Sequence, residues 1–139
     1  MRTKEKTTTL EEPRVPALHP ELNGVKARTH DAASESLYLI DEGRKRLIPD
    51  HETYDRLFMD WGGIVQNLQL DEIETGPPIP SGAALVQAEG QTAVWLIESG
   101  HKRRVDGHPE VMEKYRFRWP PAKVPPIVLD CIPTGTPVA

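Results

Sequence analysis

Lys45-Arg46 and Lys102-Arg103 carry the most chemistry of any residues in this chain. Each basic pair follows an aromatic residue, Tyr38 or Trp95, and precedes a histidine, His51 or His108. An Arg fork matches carboxylate and phosphate geometry, and an aromatic ring offers a stacking face. Read as a site, the pattern predicts two equivalent pockets for an anionic or sugar-like small molecule. A structural reading competes with it. Neighbouring Lys and Arg on a strand point to opposite faces, so one of them lies over the buried side and needs an acid. Asp71 and Asp130, which close the two segments, are the expected partners.

Other chemistries find less support. There is no HExxH, paired CxxC, P-loop or GxGxxG. The five histidines include His101 and His108 across a strand-to-helix junction, but solvated side chains explain them more simply than a metal site, and no metal or cofactor is expected. Cys131 is the only cysteine, lies in an apolar context where the first segment has Glu72, and reads as an inert thiol. A small enzyme acting through Cys131 or a histidine is therefore the weakest reading, and no catalytic residue is assigned. The acidic run Asp71, Glu72, Glu74 has no twin of equal charge. Basic and aromatic residues alternate over Lys114–Trp119, yet the matching stretch Leu57–Trp61 lacks the charge. With a net charge of -4, the chain does not read as a nucleic-acid binder.

These residues recur because the chain says nearly the same thing twice. YLIDEGRKRLIPD at 38–50 answers WLIESGHKRRVDG at 95–107, and ETGPPI at 74–79 answers PTGTPV at 133–138. Repetition at this period predicts two copies of one supersecondary unit sharing a core. The expected division is an extended arm at 1–19, a first unit at 20–77 and a second at 78–139, together one compact domain. Each unit predicts a three-stranded antiparallel meander: Val25–Thr29, Ser36–Ile40 and Arg44–Ile48, then Ala83–Gln87, Thr92–Ile97 and His101–Val105. Gly43 and Gly100 supply the turns. A short helix follows in each: Asp50 caps His51–Met59, and Pro109 opens the second, with Val111, Met112 and Tyr115 on one face. The chain is expected to be irregular after each helix. The fold class is thus α+β, β-rich, with two pseudo-symmetric βββα repeats. Leu39/Leu96, Ile40/Ile97, Trp61/Trp119, Leu70/Leu129 and Ile73/Ile132 are expected in the core. The C-terminal tail should pack near the start of the first unit or reach another subunit.

The length of 139 residues suits one domain, and 14 prolines limit helix content. No apolar run approaches the roughly 18 residues needed to span a bilayer. The N-terminus has no apolar signal region, so a cytoplasmic location is expected.

The pattern aromatic-Leu-Ile-x-x-Gly-x-Lys-Arg, then a short helix, a Trp and Ile-x-Thr-Gly-x-Pro, resembles an uncharacterised bacterial repeat found in tandem in surface and cell-wall-associated proteins. The resemblance covers Tyr38–Ile79 and Trp95–Val138 and implies an accessory or binding element. The expected role is non-catalytic: recognition of a protein, peptide or glycan, with homodimerisation through exposed meander edges and exchange of the arm and tail.

Overall fold

The computed structural model describes residues 15–29, 35–66, 68–105 and 109–139. It is a strand-rich α+β fold with two four-stranded sheets and a few short helices. In the first sheet β1 (Lys26–Arg28), β2 (Leu37–Asp41) and β3 (Arg44–Leu47) form an antiparallel meander. Helix α1 (His51–Leu57) follows, and then β4 (Ile64–Val65) returns to pair parallel with β1. In the second sheet β5 (Ala84–Ala88), β6 (Val94–Glu98) and β7 (His101–Arg104) form the meander. Helix α2 (Glu110–Tyr115) and the parallel strand β8 (Ala122–Val124) complete it, and α3 (Pro126–Asp130) follows. The orders are therefore β3-β2-β1-β4 and β7-β6-β5-β8. The expected meanders and first helices are present. The fourth strands replace the irregular stretch expected after each helix, because a two- or three-residue strand is held by distant pairing and leaves little local pattern.

The β2–β3 and β6–β7 hairpins turn on two residues each. Glu42 and Gly43 have φ of 55° and 75°, and Ser99 and Gly100 have 51° and 76°. Two consecutive left-handed residues are what a type I′ turn requires, and its twist matches that of the flanking strands. Gly43 is further constrained, since a Cβ there would meet the backbone nitrogen of His19 at 3.0 Å. At α1 the backbone N–H of Thr53 donates to Asp50 Oδ1 at 2.7 Å, the expected N-cap.

The main core gathers Leu39 from the first sheet, Leu85, Val94 and Leu96 from the second, and Tyr54, Leu57, Met112 and Tyr115 from α1 and α2. Phe58 and Phe117 follow the helices and form an antiparallel bridge, with stacked rings 5.8 Å apart. A second cluster on β5 joins Val86 and Ala88 to Leu129 of α3. Trp61 and Trp119 depart from expectation: they are 41% and 53% exposed. Phe58 and Phe117 take the buried aromatic places after the helices, and the chain then turns outward. Leu70 and Ile132 are likewise only half-buried, whereas Ile73 and Leu129 are buried.

The closing segments do not leave the meander edges open. Lys45 N–H donates to Glu74 O, Gly76 N–H to Lys45 O and Ile79 N–H to Leu47 O. Lys102 N–H donates to Pro133 O, Gly135 N–H to Lys102 O and Val138 N–H to Arg104 O in the same way. Ile79 and Val138 end these segments buried in the core. The tail finishes beside the first unit's start, where Asn23 Nδ2 donates to Ala139 O at 3.1 Å. Of the expected N-terminal arm, residues 1–14 lie outside the described residues. Ala17 bridges Ile73 within the same chain.

Candidate functional site

Strand parity brings four charges together. Leu39 and Leu96 face the core, so Asp41 and Glu98, two residues on, face the same way. Arg46 lies opposite Leu39 and Arg103 opposite Leu96. All four charged side chains are buried, with no more than 7% exposure. Arg46 Nη1 donates to Asp41 Oδ2 at 2.9 Å and to Glu98 Oε2 at 2.8 Å, and its Nη2 to Glu98 Oε1 at 2.5 Å. Arg103 Nη1 donates to Asp41 Oδ2 and Glu98 Oε2, both at 2.7 Å, and its Nη2 to Asp41 Oδ1 at 3.0 Å. The Nε atoms donate to closing-segment carbonyls: Arg46 to Pro77 O at 2.8 Å, Arg103 to Thr136 O at 2.7 Å. Every nitrogen of both guanidinium groups is engaged.

Burial alone would push both carboxyls up. The hydrogen bonds and charges of Arg103 and Arg46 outweigh it and hold Asp41 below the usual carboxylate range; Arg46 and Arg103 do the same for Glu98. Burial opposes the charge on Arg103, but Asp41 and Glu98 raise its pKa further. Two cations and two anions are thus balanced in a low-dielectric interior that joins the two sheets. Removing one member of such a set costs about 3–5 kcal/mol, because its partners stay buried and uncompensated.

Asp71 and Asp130, the expected partners of the arginines, are exposed and do not take part. The acids at the hairpin turns, Asp41 and Glu98, take that place. Their inward direction follows from Leu39 and Leu96 by the two-residue strand period, a signal already present in the sequence.

Lys45 and Lys102 point to the opposite faces of their sheets. Lys45 Nζ donates to Leu70 O at 2.7 Å and lies 6.0 Å from the Tyr38 ring centroid. Lys102 Nζ donates to Leu129 O at 2.7 Å and lies 4.9 Å from that of Trp95. The chain's own ammonium groups thus sit over Tyr38 and Trp95, the expected stacking faces. His51 is exposed on α1, away from the cluster's buried residues, and His108 lies outside the described residues. The expected constellation therefore divides into a buried Arg46/Arg103 centre, two outer Lys–aromatic pairs and a separate His51.

Above the ionic centre lies an open cleft of about 330 Å³. Glu42, Arg44, Ser99 and His101 line it beside the four charged residues. Arg44 Nε donates to Glu74 Oε2 at 2.7 Å, and Arg103 Nη2 lies 3.1 Å from Glu42 Oε2. Cys131 is exposed. Among the described residues no three His, Cys, Asp or Glu side chains are grouped as metal ligands would be. No described helix is long and apolar enough to cross a membrane.

Two further places bear on the site: Lys26, which carries no signal in the sequence, and Trp61, expected in the core. Lys26, 1% exposed, occupies on β1 the register position that Leu85 holds on β5, opposite Leu39 and Leu96 respectively. Its Nζ donates to the Tyr54 hydroxyl at 3.2 Å and lies 4.4 Å from the Phe58 ring centroid. Burial drives its pKa down to about 8, with Arg116 adding to the effect and Asp60 opposing it. Trp61 stacks on Tyr54 with ring centroids 3.9 Å apart.

No protein-family model, curated protein or solved structure matches this chain.

Proposed function

We propose that the protein is a non-catalytic binding module built from two copies of one βββα unit. The carrying observation is where the repeated polar residues go. Arg46, Arg103, Asp41 and Glu98 lock the two sheets together. Lys45 and Lys102 fix the closing turns to them. This chemistry is internal, so recognition falls to the exposed aromatic and aliphatic residues, among them Trp61, Trp119 and Ile127. The duplication reading is supported by identical strand orders, by matching type I′ turns and by paired Arg-to-carbonyl bonds. The resemblance to a surface-associated bacterial repeat points in the same direction.

The test is a mixed array of proteins, peptides and saccharides probed with the full chain. Specific retention lost on changing a surface residue, with unfolding temperature preserved, supports the reading. Turnover that disappears on alkylating Cys131 or replacing a histidine contradicts it.

Self-association is the second reading. The tail and the β3 and β7 edges are occupied within the chain, so exchange through them is disfavoured. The terminal strands β4 and β8, beside exposed Val65, Ile127 and Val128, are the edges a second copy would use. Light scattering of the full chain and a version lacking residues 1–14 tests this, and a strict monomer in both would remove it.

A further inference from the structure

Resting on the binding-module reading, we propose that Trp61 is a preformed platform for one face of a neutral pyranose sugar. The ring is held on three sides. Tyr54 stacks beneath it at 3.9 Å and 21°, Asp55 Oδ1 accepts its Nε1–H at 2.9 Å, and His51 stands edge-on at 5.0 Å. The residue is 41% exposed, and with Tyr54 covering one side of the indole, the other side is the one left for a ligand, its orientation fixed before anything binds. A ring already immobilised loses little conformational entropy on binding, which is the advantage of preorganisation.

The rim selects the ligand class. Asp60 accepts from Arg116 Nη2 at 2.7 and 2.9 Å, and Arg118 Nε donates to the Asp55 carbonyl at 2.7 Å. The hydrogen-bonded groups next to the indole thus comprise two carboxylates and two guanidinium groups, reached through Asp55 and through Asp60, the chain neighbour of Trp61, with Asp55, Asp60 and Arg118 exposed and Arg116 half-buried. An alkylammonium ligand would require net negative charge and a phosphate ligand net positive charge; the rim is balanced. A pyranose presents a C–H face to an aromatic ring and hydroxyls that both donate and accept at its edge. Two acceptor groups and two donor groups of balanced charge match that chemistry. Tyr38 and Trp95 cannot serve in this way, since lysine ammonium groups lie over their rings.

The experiment is saturation-transfer NMR and calorimetry on the full chain. The probes are four trisaccharides: β-1,4-linked glucose, β-1,4-linked N-acetylglucosamine, α-1,4-linked glucose and α-linked mannose. At least one should show saturable transfer to its ring C–H protons, with affinity in the micromolar to millimolar range. Trp61→Ala should weaken it by about tenfold or more. Trp61→Tyr should retain it, which separates a lost platform from a damaged fold. Arg44→Ala, at the cleft, should leave it unchanged. Absence of transfer to all four sugars, or transfer equal in Trp61→Ala and the parent, overturns the proposal. A peptide or protein retained on the array while all four sugars fail would sink the sugar site alone and leave the binding-module reading intact.

Discussion

Replacing Lys26 by leucine should stabilise this protein at neutral pH. Lys26 sits at a core position that the second sheet fills with Leu85. A fall from the ordinary 10.5 to about 8 corresponds to about 3 kcal/mol of penalty for holding the charge inside. The sign follows from the direction of the shift. Between pH 8 and about 10.5 the unfolded chain binds the proton more tightly than the folded one, so wild-type stability climbs with pH across that window. Below pH 8 the penalty is present in full. Tyr54, whose pKa burial raises, acts oppositely near and above its ordinary value in both proteins. The variant forgoes the hydrogen bond to the Tyr54 hydroxyl, worth about 1 kcal/mol, and a contact with the Phe58 ring of similar size. The Tyr54 hydroxyl still donates to Asp60 O at 2.6 Å, so it is not stranded. Lys26→Leu should therefore gain about 1–2 kcal/mol at pH 7, and its rise in stability between pH 8 and 10 should vanish. Urea unfolding at a series of pH values measures both. A variant destabilised by more than about 1 kcal/mol, or one that keeps the wild-type alkaline slope, would refute the reasoning.

Asp41 and Glu98 have lowered pKa values, so the stability they contribute is complete above the ordinary carboxylate range and is lost as pH falls through their folded values. Acid unfolding followed by circular dichroism should show a steep loss below about pH 4, and Glu98→Gln should flatten it. Deleting residues 134–139 removes the fully buried Val138, the carbonyl partner of Arg103 and the tie to Asn23. It should cost at least about 3 kcal/mol by the same urea assay. Asp50→Ala takes the cap from α1 and the acceptor from the Ser81 hydroxyl, and should lower stability by about 1 kcal/mol in thermal unfolding.

Local chemistry made much of this fold legible. Asp41-Glu42-Gly43 and Glu98-Ser99-Gly100 announce hairpins, the β-prone runs before them announce strands, and Asp50 announces a helix start. The need of Arg46 and Arg103 for buried acids was legible too. Their partners are Asp41 and Glu98 rather than Asp71 and Asp130, because strand parity turns the first two acids to the same side as Leu39 and Leu96. Trp61 and Trp119 are apolar and recur, yet recurrence at a position does not require burial there. Phe58 and Phe117 fill the space instead. Strands β4 and β8 leave little local pattern because their pairing with β1 and β5 is long-range. A lone lysine such as Lys26 in a strand reads as a solvated face, and only its register against Leu39 turns it to the core.

The clamp between the two sheets is best tested by a double-mutant cycle on Arg46 and Glu98, one residue from each sheet. Arg46→Met and Glu98→Gln should each cost about 3–5 kcal/mol in urea unfolding, and the double variant much less than their sum. A coupling energy of about 2 kcal/mol or more is expected, the upper part of the range for side chains in one buried network. Additive losses, with coupling near zero, would contradict the claim that the repeated charges hold the two sheets together.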